Sequence, residues 1–325
     1  MNFKKGMALA LTCFALLGLA GCGSSDSSRS GEYKVGVVQL VEHPALDAAN
    51  QGFIEALQAE GLADKISFDQ QNAQADQSNL NSIAQRFVSD RKNLILAIAT
   101  PAAQAMANAT HDIPILATAV TDYESAKLVK SNEQPGGNVS GTSDLNPVEQ
   151  QVDLILQVMP DVKTIGTIYS SSEVNSQLQV EKMKAYAATK GIAVREVTVS
   201  NVNDIQQAAQ SLVADGVQAV YVPTDNVVAS AISNLVSVTD SAKIPVFGGE
   251  DNQVKGGAMM SLSVDYHQLG YQTGLMAAKI LRGEAKIEDM PVEIQKEFKL
   301  VVNKEKLDKL GITLPQEIMD KASFM

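Results

Sequence analysis

Hydroxyl, amide and carboxylate side chains recur in this chain at one kind of place, just after short apolar runs: Thr100, then Thr121, Asp122 and Tyr123, then Ser171 and Asn175, then Asp225 and Glu250. At a helix start such a group stands beside backbone N–H donors whose summed dipoles favour negative charge. Thr100, Thr121 and Ser171 therefore suit an anionic oxygen held by neutral donors. Asp225 and Glu250 offer the opposite, an acceptor for a cationic nitrogen. Tyr123 and Phe247 are the nearest rings for stacking or edge contact, and His43, beside Pro44, is a minor candidate in a loop of the same kind. Each also has an ordinary structural reading. Thr100 before Pro101 reads as an N-cap with proline at the first helical position, Ser170 with Glu173 as a capping box, and Asp225 as a cap. Six such loops, over 39–43, 100–101, 121–123, 170–175, 223–226 and 248–251, favour a ligand site only if they converge.

No pattern that carries catalysis accompanies them. His43, His111 and His267 stand far apart, without a His-x-x-x-His or Cys-x-x-Cys spacing, so a zinc site would need residues gathered by the fold alone. Gly-x-x-x-x-Gly-Lys-Ser/Thr, Gly-x-Gly-x-x-Gly and Gly-x-Ser-x-Gly strings are missing, which removes support for phosphate-loop, dinucleotide and hydrolase readings. Ser89-Asp90-Arg91-Lys92 matches Ser-x-x-Lys, but at the charged end of a helix and with no partner motif. The expectation is a protein with no enzyme activity, no cofactor and no metal. A formal charge of −11 sets up a field that repels phosphate backbones, so nucleic acid is not an expected partner.

Loops so far apart in sequence meet only if regular elements carry them. The 325 residues, 45% hydrophobic and 19% charged, allow two compact units of roughly 150 residues, each with its own core. Val35–Val41, Leu94–Ala99, Ile113–Val120, Ile165–Tyr169, Ala219–Val222 and Pro245–Phe247 are short and nearly all apolar, as strands buried on both faces are. Between them Leu80, Ile83, Ala84, Phe87 and Val88 repeat at helical spacing, as do Ile205, Ala208, Ala209, Leu212 and Val213, while Gly61, Gly191 and Gly216 close helices. This alternation predicts an α/β fold of two Rossmann-like lobes, their sheets parallel and joined by hinge crossings.

The stretch 134–138 breaks the pattern, and the strand-like Val139–Ser143 leads to a helix starting near Pro147, placing a first crossing near Ser143. A second follows Met259–Val264, ahead of a long helix from about Tyr266 to Leu281 that packs back on the first lobe. The expected division is 33–143 with 264–293 for lobe one, and 144–263 with 294–325 for lobe two. In open parallel sheets a ligand sits beyond the carboxyl ends of the strands, where all six loops lie.

Residues 1–21 read as an export signal. Lys4 and Lys5 precede an uncharged run from Met7 to Leu19, short of the roughly 20 residues that span a bilayer as a helix. Leu19-Ala20-Gly21-Cys22 resembles the bacterial lipobox, which implies lipidation of Cys22 and its exposure as the first residue after cleavage. Cysteine usage agrees, since the only other cysteine, Cys13, lies in the discarded segment and leaves no partner for a disulfide. Residues 22–32, rich in serine and glycine, read as a flexible tether.

Val35-Gly36-Val37-Val38-Gln39, Ala99-Thr100-Pro101-Ala102, Gly137-Asn138-Val139-Ser140-Gly141, Tyr169 to Ser176 and Val222-Pro223-Thr224-Asp225-Asn226, in this order and spacing, resemble the ABC substrate-binding family typified by tryptophan- and tyrosine-binding lipoproteins. The resemblance covers nearly everything after residue 32. It implies the type I periplasmic-binding-protein fold and a lipid-anchored, extracytoplasmic receptor that closes on a small molecule and delivers it to an ABC permease. It also implies an amino-acid ligand, aromatic or large and apolar. On the loop chemistry, Thr100, Thr121 and Ser171 then take its carboxylate and Asp225 its ammonium, with Glu250 or Asp122 as substitutes and Asn175 in the same loop as Ser171.

A monomer at the outer face of the cell membrane is expected. The absence of Trp, with seven Tyr and eight Phe, lowers carbohydrate in rank, because sugar clefts commonly sandwich the ring between aromatic faces. The alternatives on the same fold are a nucleoside, sugar or peptide ligand, or a sensor role. A lipid-anchored enzyme would need a paired nucleophile and base, which the sequence does not offer.

Overall fold

The structure, a computed structural model, describes residues 33–325, so the export signal, Cys22 and the tether lie outside the described residues. The chain alternates β1 (Tyr33–Gln39), α1 (Pro44–Ala59), β2 (Ile66–Asn72), α2 (Gln77–Ser89), β3 (Leu94–Ile98), α3 (Thr100–Ala109), β4 (Ile115–Val120) and β5 (Val139–Ser143). It then enters a second series: α4 (Val148–Val158), β6 (Thr164–Ser170), α5 (Val174–Thr189), β7 (Ala193–Val199), α6 (Ile205–Ala214), β8 (Ala219–Val222), α7 (Asn226–Ser230), α8 (Ile232–Ser241), β9 (Val246–Gly248), α9 (Asp251–Lys255) and β10 (Met260–Ser263). α10 (Tyr266–Leu281) and β11 (Glu293–Ile294) return to the first sheet, and β12 (Lys299–Val302), α11 (Lys304–Leu310), α12 (Gln316–Met319) and β13 (Ala322–Phe324) complete the second.

The first sheet has the order β11-β5-β4-β3-β1-β2 and is parallel throughout. The second, β13-β12-β10-β9-β8-β6-β7, has a single antiparallel pair, β10 with β12, where the chain re-enters from the first lobe. β3 and β4 are buried at every residue, as helices on both faces require, and apolar periodicity marks them well. β2 and β7 escape that signal. Each is an edge strand with a single neighbour, β1 or β6, and half-exposed positions along its length, so polar residues are tolerated at most of them.

α10 is held to the first lobe by direct backbone approach. A methyl group on Gly270 would stand 1.8 Å from the Ala49 carbonyl oxygen, and one on Gly52 would stand 2.1 Å from that of His267, so only glycine lets α1 and α10 meet this closely. A file of threonines adds polar ties. Thr118 Oγ1 lies 3.0 Å from Thr142 Oγ1, which lies 2.9 Å from Thr273 Oγ1, linking β4, β5 and α10 inside the core. The helix that follows the second crossing is thereby part of the first lobe, and the chain passes between the sheets after β5, after β10 and after β11. No helix among the described residues is long and apolar enough to cross a membrane.

Candidate functional site

Strand order reverses between β1 and β3 in the first sheet and between β6 and β8 in the second. A crevice forms at such a switch point, because the helices that follow the two strands go to opposite faces. The loops after β1 and β3 carry His43 and Thr100. Those after β6 and β8 carry Glu173, Asn175, Thr224, Asp225 and Asn226. The two crevices face one another, as two contacts between the lobes show. His43 Nε2 lies 3.2 Å from Asn226 Oδ1, and Thr121 Oγ1 lies 3.3 Å from Thr224 Oγ1.

The roles in the first contact are fixed by what lies behind it. Asn226 donates its Nδ2 to Glu173 Oε2, so its Oδ1 is the acceptor and His43 Nε2–H the donor. Burial lowers the His43 pKa, opposed by Asn226 and by the charge of Asp47, and the ring is neutral with Nδ1 as an unpartnered acceptor. Glu173 is itself fully enclosed. Its Oε1 accepts the backbone N–H groups of Asn226 (2.9 Å) and Val227 (3.1 Å), and Oε2 also accepts Asn175 Nδ2 at 3.2 Å. Burial and the neighbouring Asp225 push it up to about 8, against the pull of these donors. A carboxylate from the loop after β6 thus organises the start of the helix after β8, and through Asn226 it presents a contact to the other lobe.

Nearer the crossings, Asp144 accepts the Tyr266 phenol at 2.6 Å, and Asn146 donates to the Gly249 carbonyl. A groove of about 490 Å³ beside them is lined by Pro44 and Ala48 of α1, Asn252 and Lys255 of α9, and Tyr266, so Tyr266 lies between the lobes. Six polar atoms in these loops are buried without a partner: His43 Nδ1, Thr100 Oγ1, Asp144 Oδ1, Asn146 Oδ1, Asn175 Oδ1 and Glu250 Oε1. Such atoms carry a desolvation cost unless something meets them, and their gathering at the facing ends of two sheets marks the site. Among the described residues, no cluster of His, Cys, Asp and Glu side chains is placed to hold a metal ion.

The sequence candidates divide. Thr100, Thr121, Asn175 and Glu250 are buried in the facing loops. Thr100 is not an N-cap, however. Ala99 occupies that position with φ +86°, and Thr100 is the first helical residue with its hydroxyl free. Ser170 and Glu173 form no capping box either, since Glu173 reaches across to α7 instead. Asp225 does cap α7, accepting Val228 N at 2.9 Å, and its other oxygen accepts Ser170 N and Ser176 Oγ, each at 2.7 Å. Burial raises it, against these same donors.

Ser171 is exposed, with its hydroxyl on the Val199 carbonyl at the sheet edge. Asp122 accepts Ser125 N within its own turn. The Tyr123 hydroxyl donates to the carbonyls of Ala117 and Thr142 in the first core, and Phe247 belongs to the second core. Asp144 and Asn146 lie outside the six candidate loops, while Glu173, read as a capping-box partner, and Asn226 lie inside them without a ligand role. Both of the latter carried a signal as members of polar strings after strands, and Asp144 and Asn146 carried none.

A family model for ABC transporter substrate binding protein matches residues 34–324. The chain is 42% identical over 324 residues to the tyrosine-binding protein of Clostridioides difficile (strain R20291), spanning 95% of this chain and 93% of that protein. It is similar to the solved structure of an ABC domain in complex with L-Trp from Streptococcus pneumonia, with a TM-score of 0.87 at 41% identity, covering 90% of this chain and 99% of that one. At the same coverage, it overlays with a TM-score of only 0.68 on the ligand-free, open structure of a substrate binding protein with adhesive properties from Clostridium difficile, although identity there is 45%. Sequence divergence does not account for that gap. In this structure hydrogen bonds join the two lobes.

Proposed function

The chain belongs to the ABC transporter substrate binding protein family, whose members are binding proteins rather than enzymes, and from that premise we propose that it closes on a free aromatic amino acid, tyrosine or tryptophan, held between its lobes. The observation that carries the reading is the set of six unpartnered polar atoms gathered at the carboxyl ends of both sheets. A zwitterionic ligand needs donors for its carboxylate and acceptors for its ammonium, and the set supplies five acceptors and, in the Thr100 hydroxyl, one donor. Thr100, 1% exposed, places a free hydroxyl in the first turn of the ten-residue α3, where the helix dipole favours a carboxylate. The tyrosine and tryptophan named for the relatives support an aromatic amino acid as the ligand class.

Thermal shift and calorimetry on the purified protein test this. Tyrosine or tryptophan at about a hundred times its dissociation constant is expected to add about 2.7 kcal/mol of stability, with glucose and adenosine inert. A protein that binds no amino acid, or that is stabilised by the sugar or the nucleoside, overturns the reading.

The rest of the proposed role concerns residues 1–32 and the partners. Cys22 anchors the protein by its lipid at the outer face of the cell membrane, the segment 22–32 lets the lobes stand away from the surface, and the monomeric protein delivers its bound ligand to an ABC permease. The uncharged run 7–19 is too short to hold the protein in a bilayer by itself. Cys22→Ala is therefore expected to move the protein from membrane to soluble fractions. Retention in the membrane fraction would remove the lipid from the account.

A further inference from the structure

Asp144 stands where the chain leaves β5 for the second lobe, and its two carboxylate oxygens are unlike. Oδ2 accepts the Tyr266 phenol at 2.6 Å, while Oδ1 has no partner, and the residue is 2% exposed. Glu250, at the end of β9 and equally buried, is built the same way. Its Oε2 accepts Asn252 N at 2.7 Å and its Oε1 has no partner. Asn146 ties the two segments by donating Nδ2 to the Gly249 carbonyl, and its own Oδ1 is buried without a partner. The Tyr266 phenol, held protonated by burial, is raised further by the charges of Asp144, Glu250 and Asp251, so these carboxylates lie in its neighbourhood. None of the ion pairs among the described residues includes Asp144 or Glu250.

We propose that Asp144, Glu250 and Asn146 together form the subsite that takes the ligand's primary ammonium group, an inference that rests on the amino-acid reading above. An ammonium brings three N–H donors and one positive charge. The subsite offers three acceptor oxygens and two carboxylates without a cation of their own, where a sugar hydroxyl or a nucleobase has no charge to set against them. Burial pushes both carboxyls up, Glu250 to about 8 with help from the charge of Asp251, against the pull of the Tyr266 and Thr121 hydroxyls on Asp144 and of Asn252 and Gln253 on Glu250. Asp225, the acceptor the sequence favours, already holds three donors of its own lobe.

The spacing is also right. β3, β4 and β5 are consecutive neighbours, so the backbone at Thr100 and at Asp144 stands roughly 10 Å apart. An α-amino acid head fits that span with its carboxylate on the Thr100 side and its ammonium on the Asp144 side. Because Asp144 lies in a crossing and Glu250 in the second lobe, the ammonium bridges the parts that move. Closure is then favoured by the same contact that recognises the ligand.

The test compares L-tyrosine and L-tryptophan with hydroxyphenylpropionate and indolepropionate, which keep the ring and carboxylate and lack the amine, by calorimetry on the wild-type protein and on Asp144→Asn and Glu250→Gln. Each variant is expected to lose about 30-fold or more in affinity for the amino acid, while its affinity for the deaminated acid changes by less than about threefold. The preference for the amine collapses. A variant that loses both ligands equally, or keeps its full preference for the amino acid, overturns the subsite and leaves the amino-acid reading standing. A wild-type protein that binds no amino acid overturns that reading, and the subsite with it.

Discussion

Asp225→Ala is expected to cost about 3 kcal/mol of stability and to lower the melting temperature by about 5–10 °C. The side chain is 1% exposed and joins three segments of the second lobe: Val228 N in the first turn of α7, Ser170 N at the end of β6, and the Ser176 hydroxyl in α5. Truncation leaves all three donors dry and unpaired. An unpaired buried donor costs about 1–3 kcal/mol, partly relieved where water enters. Asp225→Asn keeps one acceptor for the α7 N–H and so loses less. The check is a thermal melt of both variants beside a ligand titration. An unchanged melting temperature with lost amino-acid affinity would reverse the assignment and make Asp225 a ligand contact.

Asn226→Ala is expected to weaken amino-acid binding about 10- to 100-fold, with most of the effect in ligand release. The substitution removes the acceptor of the His43 contact between the lobes and one donor to Glu173, leaving two buried groups short of a partner. A closed state that is populated less often lowers apparent affinity by the same factor. The contact also carries a pH signature. His43 is neutral and buried in the closed form, with its pKa lowered from the ordinary 6.5.

When the lobes open, water restores that value, so below pH 6.5 opening takes up a proton. The contribution of His43 to closure is therefore complete above pH 6.5 and is lost as pH falls below it. Wild-type affinity should fall across that range, and His43→Gln, which keeps a donor and cannot titrate, should flatten it. Equal acid sensitivity in wild type and His43→Gln would show that the loss comes from other groups.

The candidate site was legible in sequence at the level of loops and illegible at the level of atoms. Polar strings after apolar runs marked the ends of β3, β6, β8 and β9, because a buried strand must be apolar and its exit must satisfy the next helix start. Which member of each string turns inward is not written there. Ser171 and Glu173 share one loop, yet the first lies exposed at the sheet edge and the second is enclosed, bonded to a helix fifty residues further on. Thr100 and Asp225 both looked like caps, and only Asp225 is one, because a residue at φ +86° before Thr100 starts α3 one position earlier.

By itself the sequence determined the alternation of strand and helix, the acidic charge and the absence of known catalytic strings, since each rests on local pattern or composition. The tertiary structure alone decided the pairing of His43 with Asn226 and of Asp144 with Tyr266, partners 183 and 122 residues apart. It also decided the backbone contact of α1 with α10. Those contacts depend on strand order and on the distance between two sheets. Neither quantity is encoded in any window of neighbouring residues, because a hydrogen bond across a cleft is set by where two separately folded lobes come to rest.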